Sequence, residues 1–353
     1  MATPRRPAKK SFKKTGLSKE RGTKVPREKT VKAEPRAFVR RTLATGPSPS
    51  AHAPVMLEMP QFADYALLDS GFEKKLERYG PYKIVRPEGQ ALWQPRLTDK
   101  EWTDADAIFT GDGDEEASGR WKFQNKLKDG KQEDAWQLGF QDIQFHARFT
   151  AFRHMGFFPE QAAHWIWFDD LIRKADRPIN VLNLFGYTGA ASLIAAKAGA
   201  SVTHIDASKK AIGWARENQS LSSLDEAPIR WICEDAAKFV EREARRGKTY
   251  DAIIMDPPKF GRGPKGEVWQ YFEGLNDLFH NTRALLSNDP LFFILSSYAI
   301  RASFMASHEA ARDVFAGMGG VIESGELLIC EEGNERRLST SLFTRWSKGE
   351  NNE

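Results

Sequence analysis

From Ile179 onward, short apolar runs alternate with longer stretches of helical period. Ile179–Phe185 predicts a strand ending in a Gly-containing turn, and Ala190–Ala198 predicts the helix behind it. Ser201–Asp206 is the next strand and Ser208–Ser220 the next helix. Ile229–Cys233 and Tyr250–Met255 are two more strands, with a charged helix, Ala236–Arg246, between them. A helix over Trp269–Leu286, a strand over Leu291–Ser297 and a helix over Ala302–Met318 follow. Two late runs, Leu327–Cys330 and Leu342–Trp346, lie close enough to pair as a hairpin. Alternating β and α units predict an α/β fold on a doubly wound, mostly parallel sheet. Such sheets bind ligands at the carboxyl ends of their strands.

The region from Tyr65 to Phe149 has a different texture. Short apolar or alternating stretches (Tyr82–Pro87, Ala135–Gln144) are separated by breakers at Tyr79-Gly80-Pro81, Gly111-Asp112-Gly113-Asp114 and Lys128-Asp129-Gly130. That predicts a small β-rich domain over residues 61–150 with little helix. Its tryptophans, Trp93, Trp102, Trp121 and Trp136, suit a small core, and stacking on bases is the other reading.

Residues 1–60 are rich in Lys, Arg, Pro and Ser, and predict a disordered basic tail. Residues 1–41 hold 15 Lys and Arg against three acids, whereas the remainder holds 37 basic and 45 acidic residues. The tail reads as a solubilising segment or a phosphate-backbone contact; its lysines and glutamates argue against an organelle transit peptide. Two cysteines, Cys233 and Cys330, are too few for a disulfide scaffold or a thiolate zinc site, and no metal is expected. No apolar run approaches the roughly 20 residues of a membrane helix, and no secretory signal opens the chain. The expectation is a soluble, cytoplasmic protein with no membrane partner; nothing in the sequence reads out the oligomeric state.

The chemistry stands at the strand ends. Strand one ends in Asn183-Leu184-Phe185-Gly186-Tyr187-Thr188-Gly189, a turn that lets backbone approach a ligand. It matches neither the dinucleotide fingerprint G-x-G-x-x-G nor a phosphate loop. Strand two ends in Asp206, whose carboxylate suits a ribose diol. Strand three is followed by Glu234-Asp235, where an acid can accept from an adenine amine. Taken singly, Asp206 and Asp235 also read as helix N-caps. Together the three ends describe an adenosine-containing ligand without a pyrophosphate. Strand four ends in Asp256-Pro257-Pro258-Lys259-Phe260, and its prolines stiffen an arm that holds the acid toward the ligand.

The order Asn183–Gly189, Asp206, Asp235 and Asp256-Pro257-Pro258-Lys259-Phe260 resembles class I S-adenosylmethionine-dependent methyltransferases. More closely, it is similar to the bacterial ribosomal-RNA large-subunit methyltransferases of the I and K types, from about His154 to Tyr298. The resemblance implies a Rossmann-like methyltransferase domain over residues 151–353 with a mostly parallel seven-stranded sheet. It implies S-adenosylmethionine as cofactor, S-adenosylhomocysteine as product, and RNA, ribosomal by this likeness, as partner. Phe185, Tyr187, Thr188 and Gly189 would wrap the methionine part, and Asn183, also a cofactor residue by this likeness, stands where most class I enzymes have an acid. Asp206 would hold the ribose, Asp235 the adenine amine, and Asp256 would face the amino group or the transfer site. Asp256, Pro257, Pro258 and Lys259 would form the catalytic arm. Gly156-Phe157-Phe158-Pro159-Glu160-Gln161 stands where the family has glycine, aromatics, an acid and Gln, which makes Gln161 a cofactor residue. The family's Arg after that Gln is Ala162 here.

Methylation at a pyrimidine C5 needs a thiolate that adds at C6. The family's cytosine-C5 members place that Cys just after strand five, where this chain has Ser297. Neither Cys233 nor Cys330 stands there, so the sequence favours transfer to a base nitrogen. The segment Lys259–Gly266 reads as a flexible cationic loop suited to a phosphate-bearing substrate, or as an ordinary surface loop. The other readings are a methyltransferase for protein or small molecules, a cytosine-C5 enzyme, and a non-catalytic RNA-binding protein with a vestigial pocket.

Overall fold

The computed structural model describes residues 41–111, 119–130 and 135–349. The predicted tail over residues 1–40 lies outside them. Strand β1 (Ser50–Glu58) is followed by β2 (Tyr65–Gly71), β3 (Lys74–Tyr79), β4 (Tyr82–Pro87), helix α1 (Asp99–Thr103), β5 (Ala107–Thr110) and β6 (Arg120–Phe123). A hairpin, β7 (Trp136–Phe140) and β8 (Ile143–Ala147), leads to α2 (Ala162–Lys174) and β9 (Asn180–Leu184). Then come α3 (Ala190–Lys197), β10 (Ser201–Asp206), α4 (Lys209–Leu221), β11 (Ile229–Cys233), α5 (Ala236–Arg245) and β12 (Ala252–Met255). A short hairpin, β13 (Phe260–Arg262) and β14 (Val268–Gln270), precedes α6 (Tyr271–Arg283), β15 (Phe292–Tyr298) and α7 (Phe304–Val314). The described chain closes with β16 (Val321–Cys330) and β17 (Arg337–Ser347).

The main sheet runs in the order β1-β16-β17-β15-β12-β9-β10-β11. Strands β15, β12, β9, β10 and β11 are parallel, and β17 is antiparallel to both β15 and β16. Successive side chains of a strand point to opposite faces, which sorts the interior into two cores. Val181, Val202, Ile254 and Ile294 join α2 and α3 on one face. Leu182, Leu184, Ile253 and Leu295 join α5, α6 and α7 on the other. Covered on both faces, these strands read in the sequence as plain apolar runs. The chain winds outward from β9 through β10 to β11, then returns to β12 on β9's other side. That reversal opens a crevice at the carboxyl ends of β9 and β12, the place where such sheets bind ligands.

Several expectations are corrected. The sheet has eight strands, because β1, drawn from the expected disordered tail, adds parallel to the edge of β16. Its side chains are mostly exposed, so backbone bonds rather than burial hold it: the Met59 N–H donates to the Leu328 carbonyl at 2.8 Å. Pro54 is tolerated there because it lies at a register break of an edge strand. The β-rich segment is present as a five-stranded sheet, β2 to β6, and the β7–β8 hairpin. Residue 150 is not a packing boundary, however: one core runs through Tyr65, Tyr79, Trp136 and Phe145 into Trp165 and Phe168. Residues from Leu43 on form one compact unit. The four tryptophans of the β-rich segment pack on its cores. Their indole N–H groups donate to Ser70, Asp69, Thr150 and Tyr79, which is the core reading rather than base stacking. The turn at Gly111–Asp114 falls largely outside the described residues. Trp269 and Gln270 belong to β14, not to the helix that follows, and the expected flexible loop is the β13–β14 hairpin.

Candidate functional site

The turn after β9 is built against its backbone's preference. Phe185 (φ 58°), Tyr187 (φ 51°) and Gly189 (φ 86°) all take the left-handed conformation, which costs non-glycine residues energy unless the surroundings fix it. The fixing bonds are present. The Gly186 N–H donates to the Ile205 carbonyl at 3.0 Å, the Tyr187 N–H to Asp206 Oδ2 at 2.9 Å, and the Thr188 hydroxyl to the Gly156 carbonyl. Gly186 is required by close approach, since a Cβ there would overlap the buried His204 ring. His204 itself sits in a buried chain: Asn183 Nδ2 donates to Ser192 Oγ at 2.9 Å, and Ser192 Oγ lies 2.9 Å from His204 Nδ1. Burial holds that imidazole down to about 3.

A cavity of about 340 Å³ opens beside this turn, within the size range of ligand sites of about 300–1,000 Å³. Asp206 stands on one wall with both oxygens used: Oδ2 accepts from Tyr187 and Oδ1 from the Ser208 N–H at 2.7 Å. Burial raises its carboxyl, and those two N–H bonds oppose the rise. Asp235 caps α5, its Oδ1 accepting from the Lys238 N–H at 3.0 Å, and lines the cavity as well. Capping the helix does not take this acid out of the cavity wall. Next to it, Glu234 pairs with Arg242.

Asp256 is different. Half-buried, it lines this cavity and a smaller one behind the turn. Burial first, and the Glu160 carboxylate second, push its carboxyl up to about 7. Glu160 is itself buried and raised, mainly by desolvation. The arm is clamped behind the acid: Trp269 Nε1 donates to the Pro258 carbonyl at 2.7 Å, and the Tyr271 N–H to the Lys259 carbonyl at 3.0 Å.

The opposite wall is aromatic. His154, Phe158 and Tyr298 line it, with ring centroids 5.0 Å apart for His154–Phe158 and 5.8 Å for both His154–Tyr298 and Phe158–Tyr298. Arg153 Nη2 donates to the Tyr298 hydroxyl at 2.6 Å. The Arg153 carbonyl accepts from Arg86 at 2.9 Å, and Arg86 is bidentate to the buried Glu77 at 2.7 Å. The β-rich segment thus reaches the cavity wall through a buried ion pair. Burial, then Arg86, Arg153 and Lys75, lower His154 to about 3, so it is neutral at any ordinary pH.

Of the residues singled out in the sequence, Phe185, Tyr187, Asp206, Asp235, Asp256, Pro257, Pro258 and Lys259 line this cavity. Gln161, Asn183 and Thr188 line a smaller one of about 60 Å³ behind the turn, which Phe185, Tyr187 and Asp256 share. Gln161 Oε1 accepts there from the Ser296 hydroxyl at 2.9 Å. Gly189 lines neither; its Cβ position would meet the Trp231 ring at 2.9 Å, so its glycine answers to packing. Ser297 is buried with its Oγ 2.6 Å from the Tyr271 hydroxyl, and it lines neither cavity. Neither cysteine lines them: Cys233 is exposed and Cys330 lies in β16. Sequence reading missed the wall formed by His154 and Tyr298, its Arg153 support, and Trp269. Tyr298 carried a signal as the last residue of strand five, and Trp269 as a large apolar residue in a polar stretch.

The S-adenosylmethionine-dependent methyltransferase family model matches residues 119–315. The chain belongs to that family. The methyltransferase is 53% identical to a crystal structure described as the SAM-dependent methyltransferase from Agrobacterium tumefaciens, at a TM-score of 0.84, covering 89% of this chain and 100% of that one. A structure from Streptococcus mutans, 16% identical at a TM-score of 0.60 over 81% of this chain and 76% of its own, shares the fold. Among curated relatives, ribosomal RNA large subunit methyltransferase I of Shewanella denitrificans is 43% identical over 82 residues, 23% of this chain and 21% of that protein. Ribosomal RNA large subunit methyltransferase K/L of Shewanella frigidimarina is 36% identical over 138 residues, 38% of this chain and 19% of that protein. The match thus spans about a fifth of the length of these two relatives. The cofactor of the methyltransferase is S-adenosylmethionine. The cavity suits it: a carboxylate ends or follows each of β10, β11 and β12 on its wall, and Asp256, raised by burial, faces it where a cationic or donor group would meet it. Among the described residues no helix is long and apolar enough to cross a membrane.

Proposed function

We propose that this methyltransferase modifies a base nitrogen in ribosomal RNA. Asp206 holds the ribose hydroxyls of the cofactor, Asp235 the adenine amine, and the Phe185–Thr188 turn the methionine part. Gln161 and Asn183 support that turn from the inner cavity, and Gly189 shapes its exit. When bound, S-adenosylmethionine supplies an electrophilic methyl group. The acceptor enters between the Asp256–Lys259 arm and the wall of His154, Phe158 and Tyr298, which presents ring faces and edges to a planar group.

The observation that carries the nitrogen assignment is Asp256, a carboxyl near 7 facing a cavity that no thiol lines. Near neutrality about half of it is carboxylate, able to take a proton from an acceptor amine as the nitrogen is alkylated. Covalent addition at C6 would need a nucleophile, and Ser297, in the expected place, is buried against Tyr271. The ribosomal assignment is supported by the names of the partial relatives, and it places the enzyme in the cytoplasm.

The test is transfer of labelled methyl to undermodified total RNA, followed by nucleoside analysis. Label in an N-methylated nucleoside is expected. Label in protein or in small metabolites, with none in RNA, would replace the acceptor. A 5-methylcytosine product would replace the mechanism.

A further inference from the structure

The segment after the catalytic arm is a hairpin with two unlike faces. Phe260 pairs with Gln270, Gly261 with Trp269, and Arg262 with Val268, and directly opposed residues of antiparallel strands share a face. Trp269 on the inner face is buried, and its ring centroid lies 5.3 Å from that of Phe185 in the cofactor turn. The outer face carries Phe260, Arg262, Val268 and Gln270, all exposed. Phe272, at the start of α6, adds a further ring. Phe260, Val268 and Phe272 are 41%, 58% and 65% exposed, and apolar side chains kept this open beside a cavity mark an interaction surface.

The charge around these residues says what covers them. Lys259 and Arg262 border the cavity mouth, and the Arg262 guanidinium lies 5.9 Å from the Phe260 ring centroid. Lys265 stands in the connecting turn. Of the nearby carboxylates, Glu267 is engaged by Lys238 at 2.7 Å and by the Lys265 N–H at 2.8 Å, and Glu273 sits in the first turn of α6. Rings beside cations that pair with no carboxylate among the described residues match the alternation of base and phosphate along a nucleic-acid strand. A second copy of the same surface would set these cations against one another.

We infer that the outer face of the β13–β14 hairpin docks the RNA strand flanking the acceptor base. Phe260 stacks on a neighbouring base, Arg262 and Lys265 meet phosphates, and Val268 and Phe272 pack against the nucleotide's apolar edge. The inference rests on RNA being the acceptor. Trp269 and Tyr271 tie the hairpin to the arm's carbonyls, so a strand held outside is kept in register with the transfer site inside.

The test uses the full chain with S-adenosylhomocysteine bound and a fluorescein-labelled oligouridylate as probe. Phe260→Ala with Val268→Ser should weaken binding about tenfold, the scale of one lost base stack. Its KM for undermodified total RNA should rise by a similar factor while kcat and S-adenosylhomocysteine affinity hold. Arg262→Gln should flatten the dependence of log affinity on log salt by about 0.7, the share of one single-strand phosphate. Unchanged RNA affinity and KM in the double variant, with wild type methylating RNA, would overturn the docking surface and leave the acceptor assignment standing. Wild type that neither binds nor methylates RNA would overturn both. A dimer in sedimentation velocity that the double variant dissolves would reassign the face to self-association and overturn the inference.

Discussion

Asp256→Asn should stabilise the folded protein at neutral and alkaline pH and leave it unchanged in acid. Burial, with Glu160 beside it, lifts the Asp256 carboxyl from 3.8 to about 7. Below about pH 3 the group is protonated in both the folded and the unfolded chain and contributes nothing. Between the two values the unfolded chain releases its proton first, so stability falls as pH rises. Above about pH 7 the loss is complete and constant. At about 1.36 kcal/mol per pKa unit, the gap corresponds to a penalty of about 4 kcal/mol. Asn keeps the shape and cannot ionise, so the variant escapes the penalty. The assay is reversible unfolding of cofactor-free wild type and variant at several pH values from about 3 to about 8. The two curves should meet at the acid end and separate by a few kcal/mol at the other, with the variant more stable and nearly inactive. A difference that does not change with pH would refute the assignment of a carboxyl raised by its surroundings at this position. So would a variant less stable than wild type at pH 8.

Other sites make separate predictions. Asp206→Ala removes the group that accepts from Tyr187 and Ser208, and should cost about 1.5–3 kcal/mol of S-adenosylhomocysteine binding by calorimetry. Cys233→Ser combined with Cys330→Ser should keep methyl transfer within about tenfold, or about 1.4 kcal/mol of barrier. A 5-fluorocytosine-containing substrate should form no covalent complex with wild type, as seen on a denaturing gel. Glu77→Leu leaves the buried Arg86 without its bidentate partner, and should lower unfolding free energy by about 3–5 kcal/mol in denaturant titration.

What the sequence shows of this protein depends on how much of the signal is local. Strands β9, β10, β11, β12 and β15 are legible because the central ones are covered on both faces and read as plain apolar runs. The three acids are legible because a strand's end fixes where its next residue points. Strand β1 is hidden because its nine residues are held by backbone bonds to β16, and backbone bonding leaves no mark on composition. The β13–β14 hairpin is hidden because Gly, Pro and Lys dominate it, and only Trp269 betrays a buried face. The aromatic wall is the least legible part. Arg153 and Tyr298 stand 145 positions apart, and only the closed fold brings them within a hydrogen bond.

The single core that passes residue 150 bears on how this protein can change over evolutionary time. A segment with its own interior can be exchanged between genes as a cassette, because its removal exposes little. Here removal of the β-rich segment would strip Phe140 and Phe145 from Trp165 in α2, and would release the Arg86 contact that holds Arg153. Any replacement would have to supply a matching apolar face and a donor at one particular carbonyl. Substitutions on the two sides of residue 150 are therefore expected to accumulate in compensating pairs, and the two parts to be inherited together.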